Sequence, residues 1–174
     1  VPLDNRGQWY RYHHLFSDLL RNRAEQFSAE ELSVLHRRAA LWFDAHNHPY
    51  DAINHALQAH DYPLAIEMMI RATPALAMRS EISTLLNWLN GLPAELRASN
   101  PRIPLMYAWA HFFMTDIDAV EQYIEEALRA LGLENLDSEN WPSPLPPQSV
   151  DILSQINALR TFVMVNRGNP TRGI

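Results

Sequence analysis

The chain has 174 residues and is 47% hydrophobic and 10% aromatic, enough apolar material for a substantial core or a continuous stack of helical pairs, which excludes a disordered chain. There is no cysteine and every basic residue is Arg, so disulfides, thiolate metal sites, a Cys nucleophile and Lys-dependent phosphate or Schiff-base chemistry are all excluded. A formal charge of -6 argues against direct contact with nucleic acid, and no apolar run reaches the ~20 residues that a bilayer span requires.

In chain order, residues 1–3 and 9–12 are short β-prone stretches around the turn-forming Asp4-Asn5-Arg6-Gly7, which predicts a small β-hairpin. The helix expected over residues 13–26 places Leu15, Phe16, Leu19 and Leu20 at helical spacing. A hairpin leading into a helix is a piece of a mixed α/β domain. From Ser28 onward only helices are legible. Ser28-Ala29-Glu30-Glu31 is a capping box, and the helix it starts carries Leu32, Leu35, Ala39, Leu41, Trp42 and Phe43 as its apolar positions until Asn47-His48-Pro49 breaks it. A second helix is expected over residues 50–59 and a third from Tyr62-Pro63, with Leu64, Ala65, Met68, Met69 and Ile70 inward.

Pro74 is expected in the first turn of a new helical piece, since its missing N–H is harmless there. Ser80 then caps a helix bearing Ile82, Leu85, Leu86, Trp88 and Leu89, which ends at Asn90-Gly91-Leu92-Pro93. Asn100-Pro101 opens a helix through Leu105, Met106, Trp109, Phe112 and Phe113, and Asp116 caps its partner through Val120, Ile124, Leu128 and Leu131. Pro142, Pro144, Pro146 and Pro147 make residues 132–148 a long, acidic, exposed loop, and a last helix is expected over residues 150–166.

A weak internal repeat is visible. Ala40 and Ala52, twelve residues apart, are followed by Ala56 and Ala59; Ala108 and Val120, also twelve apart, are followed by Ile124 and Ala127. Small residues at such offsets let antiparallel helices approach closely, the pattern of tetratricopeptide-like (TPR-like) hairpins. The predicted fold class is all-α: antiparallel hairpins in a TPR-like right-handed superhelix over residues 28–174, preceded in residues 1–27 by the small β-hairpin and helix.

The string Trp9-Tyr10-Arg11-Tyr12-His13-His14-Leu15-Phe16-Ser17-Asp18-Leu19-Leu20-Arg21 resembles a block of the large MalT-like, LuxR-type, ATP-dependent transcription regulators. Blocks at residues 35–43, 52–59 and 89–93, then Asn100-Pro101 and Tyr107-Ala108-Trp109, agree in order and approximate spacing, and the tail from Asn166 to Pro170 resembles a further repeat. The resemblance implies a longer protein with a nucleotide-binding ATPase, a winged-helix domain, a helical sensor and a C-terminal helix-turn-helix, from which this chain is an internal piece. Residues 1–27 would then end the winged-helix domain. The turn-rich residues 166–174 and the initial Val fit a chain cut from longer sequence at both ends. His48 and His60 depart from expectation, standing in turns where a Gly would be expected.

No phosphate-cradling Gly-x-x-x-x-Gly-Lys-Ser/Thr string and no basic recognition helix occurs in the chain. The expectation is therefore a non-catalytic signal-relay arm linking the nucleotide switch to the inducer sensor, neither an enzyme nor a DNA reader. No cofactor is expected in this segment, ATP being expected for the longer protein. Its partners would be the ATPase, winged-helix and sensor domains of the same chain, with self-association open, no membrane, and a cytoplasmic location. The alternative is a free-standing TPR-like scaffold that binds a peptide or protein partner.

Few residues suggest chemistry. His13 and His14 beside Asp18 serve capping and packing, or, in the family setting, sense bound nucleotide. Tyr107, Trp109 and His111 are the ligand-binding candidates, because aromatic faces stack on sugars, with core packing as the alternative. His46, His48, His55 and His60 surround one hairpin, but the five-residue offset of the last two does not put them on one helix face, so no metal site is expected. Met68, Met69, Met78 and Trp88 read as core, and Ser143-Pro144-Leu145-Pro146-Pro147 as a rigid loop or a polyproline ligand. Arg37-Arg38 is too short a basic run for nucleic acid and is expected to pair with Asp44 or Glu30.

Overall fold

A computed structural model describes residue 18 and residues 26–133 and 147–168, and all regular structure among these is helical. The expected β-hairpin at residues 1–12, His13 and His14, and most of the Pro-rich loop lie outside the described residues. No helix among the described residues is long and apolar enough to cross a membrane. The chain divides into two compact units, residues 1–61 and 62–174.

The first unit contains α1 (Ala29–Ala45) and α2 (Pro49–Gln58), packed on one another as a hairpin. The predicted capping box is formed: the Ser28 hydroxyl accepts from the Glu31 N–H at 3.2 Å, and Glu31 Oε2 accepts from the Ser28 N–H at 2.8 Å. Such a cap contributes about 1 kcal/mol. Ala40, Ala52, Ile53 and Ala56 are fully buried at the crossing, and Ser33 Oγ donates to the Ala59 carbonyl at 2.7 Å. Arg37 pairs with Asp61 at 2.8 Å rather than with Asp44 or Glu30. Leu35, Leu41 and Trp42 of α1, expected inward, are instead exposed together with Phe27 and Val34. Ala40 is buried and Leu32, Ala39 and Phe43 are half-buried, while the other side of the wide apolar stripe faces outward.

The second unit contains α3 (Tyr62–Met78), α4 (Ile82–Asn90), α5 (Ala94–Ser99), α6 (Arg102–Phe113), α7 (Ile117–Ala130) and α8 (Pro147–Asn166). Helices α3 and α4 form one hairpin and α6 and α7 another; α6 packs on both α3 and α4, and α8 packs on both α6 and α7. The core of the later part joins Ala108, Val120, Ile124, Leu128, Ile156 and Leu159. Asp116 caps α7 as expected, accepting from the Ala119 N–H at 3.3 Å.

Four boundaries differ from expectation, the first being that Ser80 does not cap α4, whose N-cap residue is Glu81 with no side-chain cap bond. Helix α3 runs through Pro74 without a break, although proline there has no N–H for the Ile70 carbonyl. Met69, Ala72 and Leu76 are buried on both sides of the exposed proline, so a break would expose apolar surface on a face that is already well packed. The short α5 fills residues 94–99, between Pro93 and the Asn100-Pro101 start that the sequence does announce. Helix α8 begins three residues before Val150, with Pro147 as its first residue, where a missing N–H costs nothing. Of the methionines expected in the core, Met68 and Met69 are buried with Trp88, but Met78 is 82% exposed.

Five helix ends share one device. Asn47, His60, Ser80, Thr115 and Gly132 all have positive φ, between 55 and 71°. At each, the next residue's N–H bonds a carbonyl five residues back, as in His48 to Phe43, Asp61 to Ala56, Glu81 to Leu76, Asp116 to His111 and Leu133 to Leu128. These are Schellman closures, in which a left-handed residue reverses the chain and satisfies the last carbonyls. The first turn places Asn47, not His48, in the left-handed conformation. Left-handed backbone is tolerated by Asn but strained for a β-branched residue such as Thr115. Thr115→Gly is therefore expected to raise unfolding stability by about 1 kcal/mol in urea melts, whereas Asn47→Gly changes it little. A destabilised Thr115→Gly protein would refute the strain argument.

Candidate functional site

A cavity of about 290 Å³ lies among α3, α6 and α8. Helix α6 supplies the largest share of its lining, because Arg102, Met106, Trp109 and Phe113 recur at three- and four-residue steps on one face. Leu105, Met106 and Ile152 are buried apolar side chains in its wall. Ile70, Thr73 and Pro74 close the α3 side, and Asp151 and Gln155 the α8 side.

A short polar chain holds the indole. Trp109 Nε1–H donates to Gln155 Oε1 at 2.9 Å, and Gln155 Nε2 donates to Asp151 Oδ2 at 3.2 Å. Phe112 meets Trp109 edge-on with centroids 5.2 Å apart and is itself braced edge-on by Phe162 at 4.5 Å. With Phe113 tilted against it at 6.2 Å, the indole is thus fixed by one hydrogen bond and two aromatic contacts. Arg102 and Asp151 are exposed at the rim.

The three aromatic candidates separate. Only Trp109 faces this cavity. Tyr107 is buried, donates to Asn90 Oδ1 at 2.7 Å, stacks on Tyr123 at 4.7 Å and lies 5.9 Å beneath the Arg97 guanidinium. Burial, and secondarily Tyr123, pushes its phenol above the ordinary value of 10.0, which keeps it a neutral donor. His111 stacks on Tyr123 and lies 3.1 Å from Asp116 Oδ2, tying the end of α6 to the cap of α7. Both are packing residues. Gln155 and Arg102 carried no motif in the sequence; only the position of Arg102 one turn before Met106 hinted at a shared face.

In the first unit His36, unremarked in the sequence, meets His55, with Nδ1 atoms 2.8 Å apart. One ring must donate and the other accept, so at least one is neutral. Phe43 stacks on His55 at 5.4 Å. His46 donates to the Trp42 carbonyl from its own helix end, and no group of three or more metal-ligating side chains occurs among the described residues. Burial and then the facing His36 depress the pKa of His55, against a smaller opposite effect of Asp51. Its depressed folded pKa means that the unfolded chain takes up the proton first. The hairpin is thus expected to keep full stability above the ordinary value of 6.5 and to lose stability as pH falls below it. Urea midpoints across this range should show a slope that His55→Gln flattens; an unchanged slope would contradict the pairing.

Residues 1–32 match the family model described as the MalT winged helix domain. The chain is 30% identical over 97% of its length to the HTH-type transcriptional regulator MalT of Serratia proteamaculans (strain 568), and 27% identical over 99% to the regulator of that name from Vibrio parahaemolyticus serotype O3:K6 (strain RIMD 2210633). It spans only 18% of the length of each. No solved structure matches it. The similarity first seen at residues 9–21 thus extends along nearly the whole chain, which aligns with about a fifth of each MalT regulator and begins with a match to the MalT winged helix domain.

Proposed function

We propose that this chain is a non-catalytic relay arm of a bacterial MalT-like transcription regulator, built from TPR-like hairpins that follow the winged-helix domain. The observation that carries the repeat is the turn spacing. The left-handed residues that join the two helices of each hairpin are Asn47, Ser80 and Thr115, 33 residues apart from 47 to 80 and 35 from 80 to 115. A TPR unit repeats every ~34 residues. The paired positions noted in the sequence also agree, since Ala40 and Ala52, and Ala108 and Val120, are all fully buried.

Exposed apolar side chains on α1 support the relay. Val34 and Leu41 lie seven residues apart on α1, with Leu35 and Trp42 beside them, forming one outward stripe just past the end of the winged-helix match at residue 32. Such a stripe suits packing against a neighbouring domain of the longer protein. By the family resemblance, that protein binds ATP, senses an inducer through its helical region and acts in the cytoplasm, the arm biasing the switch between two arrangements. The purified chain is expected neither to hydrolyse ATP nor to retain promoter DNA, whereas the longer protein does both. ATP turnover or DNA retention by the chain itself would overturn the reading.

A further inference from the structure

We propose that the cavity among α3, α6 and α8 is a binding site for a small apolar zwitterion, an α-amino acid with a large apolar side chain or a compound of that class. This goes beyond the relay reading and does not depend on it. The volume, about 290 Å³, lies at the small end of ligand pockets and suits one ring or branched chain rather than a large ligand. Leu105, Met106 and Ile152 give that group an apolar bed, and the hydrogen-bonded Trp109 gives it a fixed aromatic wall.

The rim carries one charge of each sign. Arg102 has no carboxylate partner among the described residues, and its guanidinium fork matches a carboxylate. Three features favour an ammonium. Asp151 uses one oxygen to accept from Gln155, which leaves its second oxygen available as an acceptor in this cavity. Pro74 deprives the Ile70 carbonyl of its helical donor, and both residues line the cavity. Trp109 and Phe113 present rings that attract cations. A simple anion would answer Arg102 but meet Asp151, and a simple cation would do the reverse. A zwitterion answers both.

The test is calorimetric titration of the full chain with L-phenylalanine, with 3-phenylpropanoate, which lacks the ammonium, and with 2-phenylethylamine, which lacks the carboxylate. L-Phenylalanine is expected to bind, and each truncated probe to bind about tenfold more weakly, the loss of roughly one rim contact. Arg102→Gln should abolish the preference over 2-phenylethylamine, and Asp151→Asn the preference over 3-phenylpropanoate. Both side chains are exposed, so circular dichroism and urea midpoints should be unchanged. Absence of binding by L-phenylalanine, equal binding of all three probes, or preferences that survive both substitutions would overturn the proposal.

Discussion

Leu159→Ala is expected to cost about 2–5 kcal/mol in urea unfolding, the range for removing a fully buried leucine from a core that cannot collapse around the gap. Leu159 is 0% exposed and shares its cluster with Ile152, Ile156 and Val163 from α8 and with α6 and α7 residues. The polar links to α8 are weaker alternatives. Arg167 meets Asp118 at 2.6 Å and Glu121 at 2.7 Å, yet Asp118 is 93% exposed, and solvent-exposed pairs contribute less than about 1 kcal/mol. Arg167→Ala should therefore change the midpoint little. A ranking in which Arg167 matters more than Leu159 would mean that α8 is held by its ion pairs and not by its apolar face.

The second large effect is overpacking. Ala108 is completely buried where α6 crosses α7, in one cluster with Val120 and Ile124. A leucine there has no room unless the helices part, a cost of about 1–3 kcal/mol. Ala40→Leu should behave alike, because Ala40 holds the equivalent position where α1 crosses α2. Ala98→Leu on the exposed side of α5 should shift stability by less than about 0.5 kcal/mol. Tolerance of leucine at both Ala40 and Ala108 would remove the close helix approach that supports the repeat beside its turn spacing.

Local rules explain what the sequence made legible. A capping box at Ser28, an Asp cap at 116 and alanines twelve residues apart are each decided by a few neighbouring residues, and each is present in the structure. Features set by distant packing were not legible. Pro74 reads as a break, but buried Ala72 and Leu76 carry the helix through it. Leu41 and Trp42 read as core, because a hydrophobic stripe does not say how much of its width the neighbour covers. The same holds at the candidate site. Tyr107, Trp109 and His111 are near-neighbours in sequence, yet the helical turn sends Tyr107 and His111 towards Tyr123 and Trp109 towards Gln155. The His36–His55 contact needed two helices to be brought together.

The relay reading places its weight on the outward stripe of α1. Val34 and Leu41 are 51% and 41% exposed, so Val34→Ser with Leu41→Ser should leave the stability of the chain nearly unchanged. The most direct measurement is promoter-reporter transcription by the full-length protein carrying these two substitutions, taken with and without its inducer, alongside ATP binding and the urea midpoint. The account predicts that ATP binding and stability are retained while the transcriptional response to inducer is lost or becomes constitutive. A normal inducer response with unchanged stability would contradict it.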